Sequence, residues 1–288
     1  MKNKMKAIAF VLCVIMLACF SGCNNQGATE ATTAAPVTTA PTESTTSAPT
    51  TAATQAEEVK GAYEYTSMGL TETLYLEAEE GKEGTVVLAE ADINFPHVEG
   101  DDENIMNINS YYENILEQQT IYFREEFYLM ANDSYEFAKE NESEYLEYFM
   151  NSDFWAACND EKVFSVVRSH SEYSGGNSAH TTLSCETFNK ETGAIITFPK
   201  LFKVEKEEYM PRILEILKKQ AKEKSDLFDN YEELLSETFV EQDFYVHKDD
   251  QTGEVFLVIV YQPYSIAPNV VGIVDFFIPV SEIADILN

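Results

Sequence analysis

The chain has 288 residues, with 19 Lys+Arg against 50 Asp+Glu and a formal net charge of −31. That excess excludes a nucleic-acid binder working through a basic face, because phosphate neutralisation needs clustered cations. A content of 44% hydrophobic and 12% aromatic residues excludes disorder throughout, and beyond the N-terminus no apolar run reaches the roughly 18 residues of a spanning helix.

The chain begins with Lys2, Lys4 and Lys6, followed by an apolar run from Ala7 to Phe20 and then Ser21-Gly22-Cys23. A positive start, a short apolar stretch and small residues describe a secretory signal over residues 1–22. The Ser-Gly-Cys ending resembles a bacterial lipobox, with Phe20 where that motif usually has Leu. The resemblance implies cleavage before Cys23 and a diacylglycerol on its sulfur. It places the protein on the outer face of the bacterial cytoplasmic membrane, held by lipid.

Residues 23–58 contain no Lys or Arg and almost no apolar bulk. Between Ala28 and Ala56 stand 11 Thr, 9 Ala and 3 Pro. Such a segment buries too little surface to offset its chain entropy, so it reads as a disordered tether. As a coil it spans on the order of 35 Å. Of the 50 acids four precede residue 59, and of the 19 bases three do. Residues 59–288 therefore carry 46 acids against 16 bases, a net of −30. A field of one sign solvates a surface; it also steers partners of the opposite sign.

In the body, the alternation over Thr71–Ala78 and Val86–Val98 predicts two strands, joined through a turn over Glu79–Gly84. Acids at Asp101, Asp102 and Glu103 open a helix that the apolar spacing carries to about Lys139. Strands follow over Tyr145–Cys158, Val163–Tyr173 and Thr181–Phe188, and a short one over Ala194–Thr197. Helices are expected over Lys206–Lys222 and Leu227–Phe239. A hairpin over Phe244–Lys248 and Glu254–Tyr261, a strand over Val270–Ile278 and a short helix capped by Ser281 complete the chain. Strands in hairpins predict an α+β class: antiparallel sheets packed against one long and several shorter helices. The body divides into an N-terminal half, 59–189, and a C-terminal half, 190–288.

The motifs of catalysis are missing. His97, His170, His180 and His247 have no metal-ligand spacing, and there is no CxxC, P-loop, GxGxxG or GxSxG. The expectation is a non-enzymatic protein that needs no metal or other cofactor. Cys158 and Cys185 are the two cysteines of the body. An exported pair invites a disulfide, while their places on separate strands favour two free buried thiols. Two loops invite a ligand. Tyr173-Ser-Gly-Gly-Asn-Ser-Ala-His180 joins two strands through Gly175 and Gly176, and Tyr261–Gly272 is stiffened by Pro263 and Pro268. Tyr173, Gly175, Gly176, His180 and Tyr264 are the candidate binding residues.

Tyr173-Ser-Gly-Gly176, Ala179-His180, Glu191-Thr-Gly193, Leu201-Phe202, Pro263-Tyr-Ser-Ile-Ala-Pro268, Gly272 and Ile278-Pro279 together carry a resemblance. They look like the RsiV-type C-terminal domain of unknown function, preceded by a PdaC-type domain. These form the extracellular part of an anti-sigma-V factor and the N-terminal part of a peptidoglycan deacetylase. Asn177-Ser178 interrupt the Gly-Gly motif of that family. The resemblance implies binding of lysozyme, a cationic wall-cleaving protein; another cationic protein or peptidoglycan is a further candidate partner. A structural module for a membrane-protein partner, and a wall-glycan hydrolase or deacetylase, are the alternatives. If Cys23 carries the lipid, Cys23→Ala releases the protein from the membrane fraction or leaves it unprocessed; a variant that fractionates and migrates like wild type removes the lipoprotein reading.

Overall fold

The computed structural model describes residues 61–76 and 86–288, which fall within the compact unit Thr54–Asn288. The expected signal, Cys23, the tether and the Glu79–Gly84 turn lie outside the described residues. Strands β1 (Tyr65–Tyr75) and β2 (Val87–Val98) pair antiparallel, with Tyr65 opposite Val98. β1 starts six residues before its expected start. It is an edge strand exposed over much of its length, so alternation marks only part of it.

Glu103–Glu140 is one long helical rod of 38 residues. It consists of α1 (Glu103–Tyr122), a π turn (Phe123–Phe127) and α2 (Tyr128–Glu140). The wider π turn keeps both Phe123 and Phe127 fully buried, with ring centroids 5.8 Å apart. The rod returns the chain to the start of β3 (Tyr148–Asn159), which pairs parallel to β2. A parallel pair needs such a crossover, and it is the one parallel pairing among the described strands.

β4 (Val163–Tyr173) and β5 (His180–Asn189) finish a sheet of order β1-β2-β3-β4-β5. The rod covers one face of it. Phe95, Tyr112, Phe123, Phe127, Phe164 and Phe188 meet there, essentially without exposure. Fully burying such a side chain contributes about 1.5–3 kcal/mol.

The C-terminal half folds around α3 (Lys206–Ala221), whose Tyr209, Ile213, Leu217 and Ala221 face a second sheet. That sheet has the order β6 (Phe244–Lys248), β7 (Val255–Tyr261), β8 (Val274–Pro279). β6 lies against the other face of β4. Ala157, Val167, Tyr245, Val258 and Val260 form a cluster between the sheets, and the Val246 N–H donates to Ser165 Oγ at 3.0 Å.

Other boundaries also differ from expectation. Ala194–Thr197 makes a single bridge, Phe188 to Ile195, before the chain turns into a 3-10 segment (Phe198–Leu201) opened by Pro199. Helix α4 (Tyr231–Glu237) is shorter than expected, because Asp226 adopts φ +67° and the Phe228 N–H is spent on the Ile266 carbonyl at 3.0 Å. β8 begins after Gly272, whose φ of +75° follows a 3-10 turn over Asn269–Val271. Ser281 lies inside the last helix, α5 (Val280–Ile283), and Pro279 holds the capping position.

Cys158 and Cys185 carry free thiols on β3 and β5, with β4 between them. Below them, Lys190 clamps the entry of the body. It is 6% exposed, and its ammonium donates to the Gly61 carbonyl (2.8 Å) and to Asn159 Oδ1 (2.6 Å), 4.0 Å from the centre of the Tyr63 ring. Burial lowers the Lys190 pKa from 10.5 to about 8, with the Asp160 charge opposing. Between these values the unfolded chain holds a proton that the folded chain has released, so this group makes stability rise with pH. Burial raises the Cys158 pKa from 9.0 to about 12 and also raises that of Cys185, and above pH 9 these thiols act in the opposite sense. The lysine's share is therefore a difference. The denaturation midpoint of wild type minus that of Lys190→Met should climb with pH from about 8 towards 10.5; a difference that is flat in pH would show that Lys190 is not the titrating group.

Candidate functional site

A cleft of about 480 Å³ opens where the two halves meet at the free edge of β5. Tyr111 of α1, Arg168 of β4 and residues 183–186 of β5 form one side of it; residues 195–199 and 241–244 form the other. Its volume lies in the usual range of ligand pockets, and a junction between subdomains is a usual place for one.

At its floor Arg168 and Glu186 make a buried two-pronged pair, Nε to Oε2 at 3.1 Å and Nη2 to Oε1 at 2.5 Å. The guanidinium also lies 5.1 Å from the centre of the Phe95 ring. Tyr111 and Tyr112 hydroxyls each reach a Glu186 oxygen at 3.4 Å. Burial disfavours the charge on Arg168, but the Glu186 hydrogen bonds and charge outweigh it and hold the guanidinium above its ordinary value. Burial, then the Glu186 charge, pushes the Tyr111 phenol up to about 12. The pair satisfies itself, so neither group is free for proton transfer.

Glu241 and Asp243 line the rest of the cleft, and the charge of Asp275 reaches Cys185 from outside it. Burial raises Asp243, while a 3.2 Å hydrogen bond from Gln262 Nε2 draws it down. Burial raises Asp275 as well, and its Oδ1 is buried without a partner among the described residues. Glu241 is engaged at the surface by Lys206 at 2.6 Å. Cys185 lines the cleft, but burial and then the charges of Glu186, Asp243 and Asp275 raise its thiol. Such a thiol stays protonated and is a poor nucleophile. No three His, Cys, Asp or Glu groups cluster as a metal site among the described residues.

The five residues singled out in the sequence fall on two loops. Tyr173 closes its own hairpin, with its hydroxyl donating to the Gly176 carbonyl at 3.1 Å and its ring stacked on Phe149 at 5.9 Å. Gly175 and Gly176 take φ of +102° and +90°. The φ of Gly175 favours glycine, and a Cβ there would also stand a tight 3.1 Å from the Tyr148 hydroxyl. His180 is exposed opposite Glu172 at the start of β5. Tyr264 sits on the other loop, 65% exposed at φ +68°. No hydrogen bond or ring contact joins it to the Tyr173–His180 hairpin among the described residues. That proline-stiffened loop meets β5 further on. Gln262 accepts from the Leu183 N–H (3.1 Å) and donates to its carbonyl (2.8 Å). Sequence reasoning passed over Arg168 and Glu186. A lone arginine amid the apolar residues of a predicted strand, with a glutamate on the next strand, was the available signal.

Residues 199–281 match the family model described as a protein of unknown function, DUF3298. No curated protein matches. The crystal structure of a DUF3298 family member from Bacteroides fragilis NCTC 9343 superposes with a TM-score of 0.59 at 17% identity, covering 80% of this chain and 96% of that one. A DUF3298 family protein from Pseudomonas aeruginosa PAO1 gives 0.46 at 14% identity, with 78% and 95% covered. The chain thus carries a DUF3298 domain within an α+β body, and the Bacteroides structure shares its fold. The Arg168–Glu186 pair should be structural. Glu186→Ala, which strands a buried cation, should cost about 3–5 kcal/mol in chemical denaturation, and Arg168→Met with Glu186→Leu should recover most of it; a neutral Glu186→Ala would show that the pair is not desolvated in solution.

Proposed function

We propose that this is a cell-surface lipoprotein whose body, with an RsiV-type C-terminal half behind a PdaC-type half, is a non-catalytic docking module. Its partner is a cationic, wall-associated protein, and lysozyme is the ligand that the family resemblance suggests. The observation that carries this reading is Tyr264. A large apolar ring is presented to solvent at a backbone conformation that costs about 1–3 kcal/mol for a residue other than glycine. The surrounding loop holds it there through buried Ile266 and Ala267, the Phe228 N–H on the Ile266 carbonyl, and Gln262 on Leu183. A pre-organised aromatic anchor loses little entropy on binding. Nearby Val270 is 93% exposed, which adds apolar surface to the same loop.

Charge supports the choice of partner. A body at −30 accelerates encounter with a cation and repels anions such as nucleic acid. Thiols held protonated and a self-satisfied ion pair supply no catalyst, which favours binding over hydrolysis or deacetylation.

Kinetics of lysozyme binding test the proposal. Raising salt from about 0.1 M to 1 M shortens the screening length from about 10 Å to about 3 Å and should slow association several-fold. Tyr264→Ala should act mainly on dissociation, raising the off-rate on the order of tenfold, with His180→Ala a smaller effect in the same direction. No binding at low salt removes lysozyme as the ligand, and a salt-independent on-rate removes electrostatic steering.

A further inference from the structure

Along the cleft the free edge of β5 is covered on either side of Cys185. Alternate residues of a strand direct their N–H and C=O to the same side. At Leu183 both groups are taken by the Gln262 carboxamide. At Thr187 the carbonyl accepts from the Ile196 N–H at 2.7 Å, and the Asn189 N–H donates to the Ala194 carbonyl at 2.9 Å. Cys185 lies midway between the two covers, about 7 Å along the strand from each. Its N–H and C=O therefore point outward, away from Val167, and it lines the cleft. Among the described residues nothing takes either group.

The shape of that gap selects a ligand. A donor and an acceptor on the same side call for a partner with the reverse pair on one side. A secondary trans amide, such as the N-acetyl group of a wall sugar, points its N–H and C=O in opposite directions and cannot satisfy both. A whole peptide strand does present such pairs, but its neighbouring residues would run into Gln262 and Ile196. A primary carboxamide meets Cys185 end-on, as Gln262 already meets Leu183. The surroundings set the charge. Arg168 is consumed by Glu186, and Asp243 and Asp275 lie within electrostatic reach of Cys185, so an anionic ligand is repelled. Ile195, Ile196 and Phe198 supply apolar wall for the stem that carries the amide.

We propose that this cleft binds a primary carboxamide, borne on a neutral or cationic peptide, through the N–H and C=O of Cys185. The recognition is of an amide against its acid. A carboxylate of the same shape has no proton for the Cys185 carbonyl and brings a charge into an acidic site, so discrimination on the order of tenfold or more follows.

The test uses the full chain labelled with ¹⁵N-cysteine and three capped tripeptides, acetyl-Lys-X-Lys-N-methylamide. The central residue is glutamine, glutamate, or glutamine dimethylated on its side-chain nitrogen. The glutamine peptide should move the Cys185 amide resonance saturably, and the other two should bind on the order of tenfold more weakly or not at all. Ile195→Trp, at a half-open wall position, should fill the cleft and abolish the shift while the rest of the spectrum stays folded. Equal affinities for the three peptides, an unmoved Cys185 resonance, an equal response to N-acetylglucosamine, or unchanged binding in a folded Ile195→Trp would each overturn the proposal.

Discussion

Strand β4 is covered on both faces, and much of the molecule follows from that constraint. Its even-numbered positions Phe164, Val166 and Arg168 face the long helical rod, and Ser165 and Val167 face the second sheet. A strand enclosed in this way has no wet side on which to leave a polar group. Arg168 is therefore buried, and a buried cation must be paired with good geometry. Glu186 on β5 supplies the carboxylate, and both aromatic neighbours on α1 turn their hydroxyls towards it. On the opposite face, Ser165 reaches Thr187 at 2.8 Å while accepting the Val246 N–H. One strand thus ties together the rod, its own sheet and the second sheet. The DUF3298 match begins at residue 199, after this shared strand, so the C-terminal segment folds against a surface supplied by the residues before it.

The charge of the body is distributed in a way that fits this architecture. Few acids leave the surface, and those that do have a compensation or a raised pKa: buried Glu186 has Arg168, half-buried Asp243 has Gln262, and half-buried Asp275 is raised by burial against the charge of Lys224. The remaining acids cost little in water, and their mutual repulsion is tolerated because two aromatic-rich cores oppose it. Electrostatics at the surface and packing inside are nearly independent here. A strongly acidic chain can consequently keep an ordinary α+β fold.

Periodicity made most of this fold legible. The bounds of β4 follow from its apolar run between two turns, and those of α3 from a stripe at helical spacing. What periodicity could not give was whatever depends on distant chain. The parallel pairing of β2 with β3 depends on where the rod delivers the chain. The loss of the Ala194–Thr197 strand depends on the turn at Pro199, and the shortening of α4 on a hydrogen bond to Ile266, 38 positions away. The loops were visible as glycine- and proline-rich punctuation. Their roles were not: Tyr173 closes a hairpin, whereas Tyr264 is held outward. The cleft was invisible, since it is made by residues 111, 168, 183–186, 195–199 and 241–244, which only tertiary contacts assemble.

Gln262 connects the two surfaces on which recognition would depend. Its carboxamide caps Leu183 on β5 and touches Asp243, and it stands two residues before Tyr264. The strained backbone at Tyr264 can persist only if its neighbours over-determine it, and the side-chain bonds of Gln262 are part of that determination. The same bonds define one end of the uncovered stretch at Cys185. A protein edge that is blunted with a side-chain amide on one flank and a backbone segment on the other is protected against strand addition. Between the two covers it leaves the donor–acceptor pair of Cys185, too short for a strand and sized for one amide. Rigidity of the loop and selectivity of the edge thus share a physical origin: a glutamine that completes a β-ladder without being part of a strand.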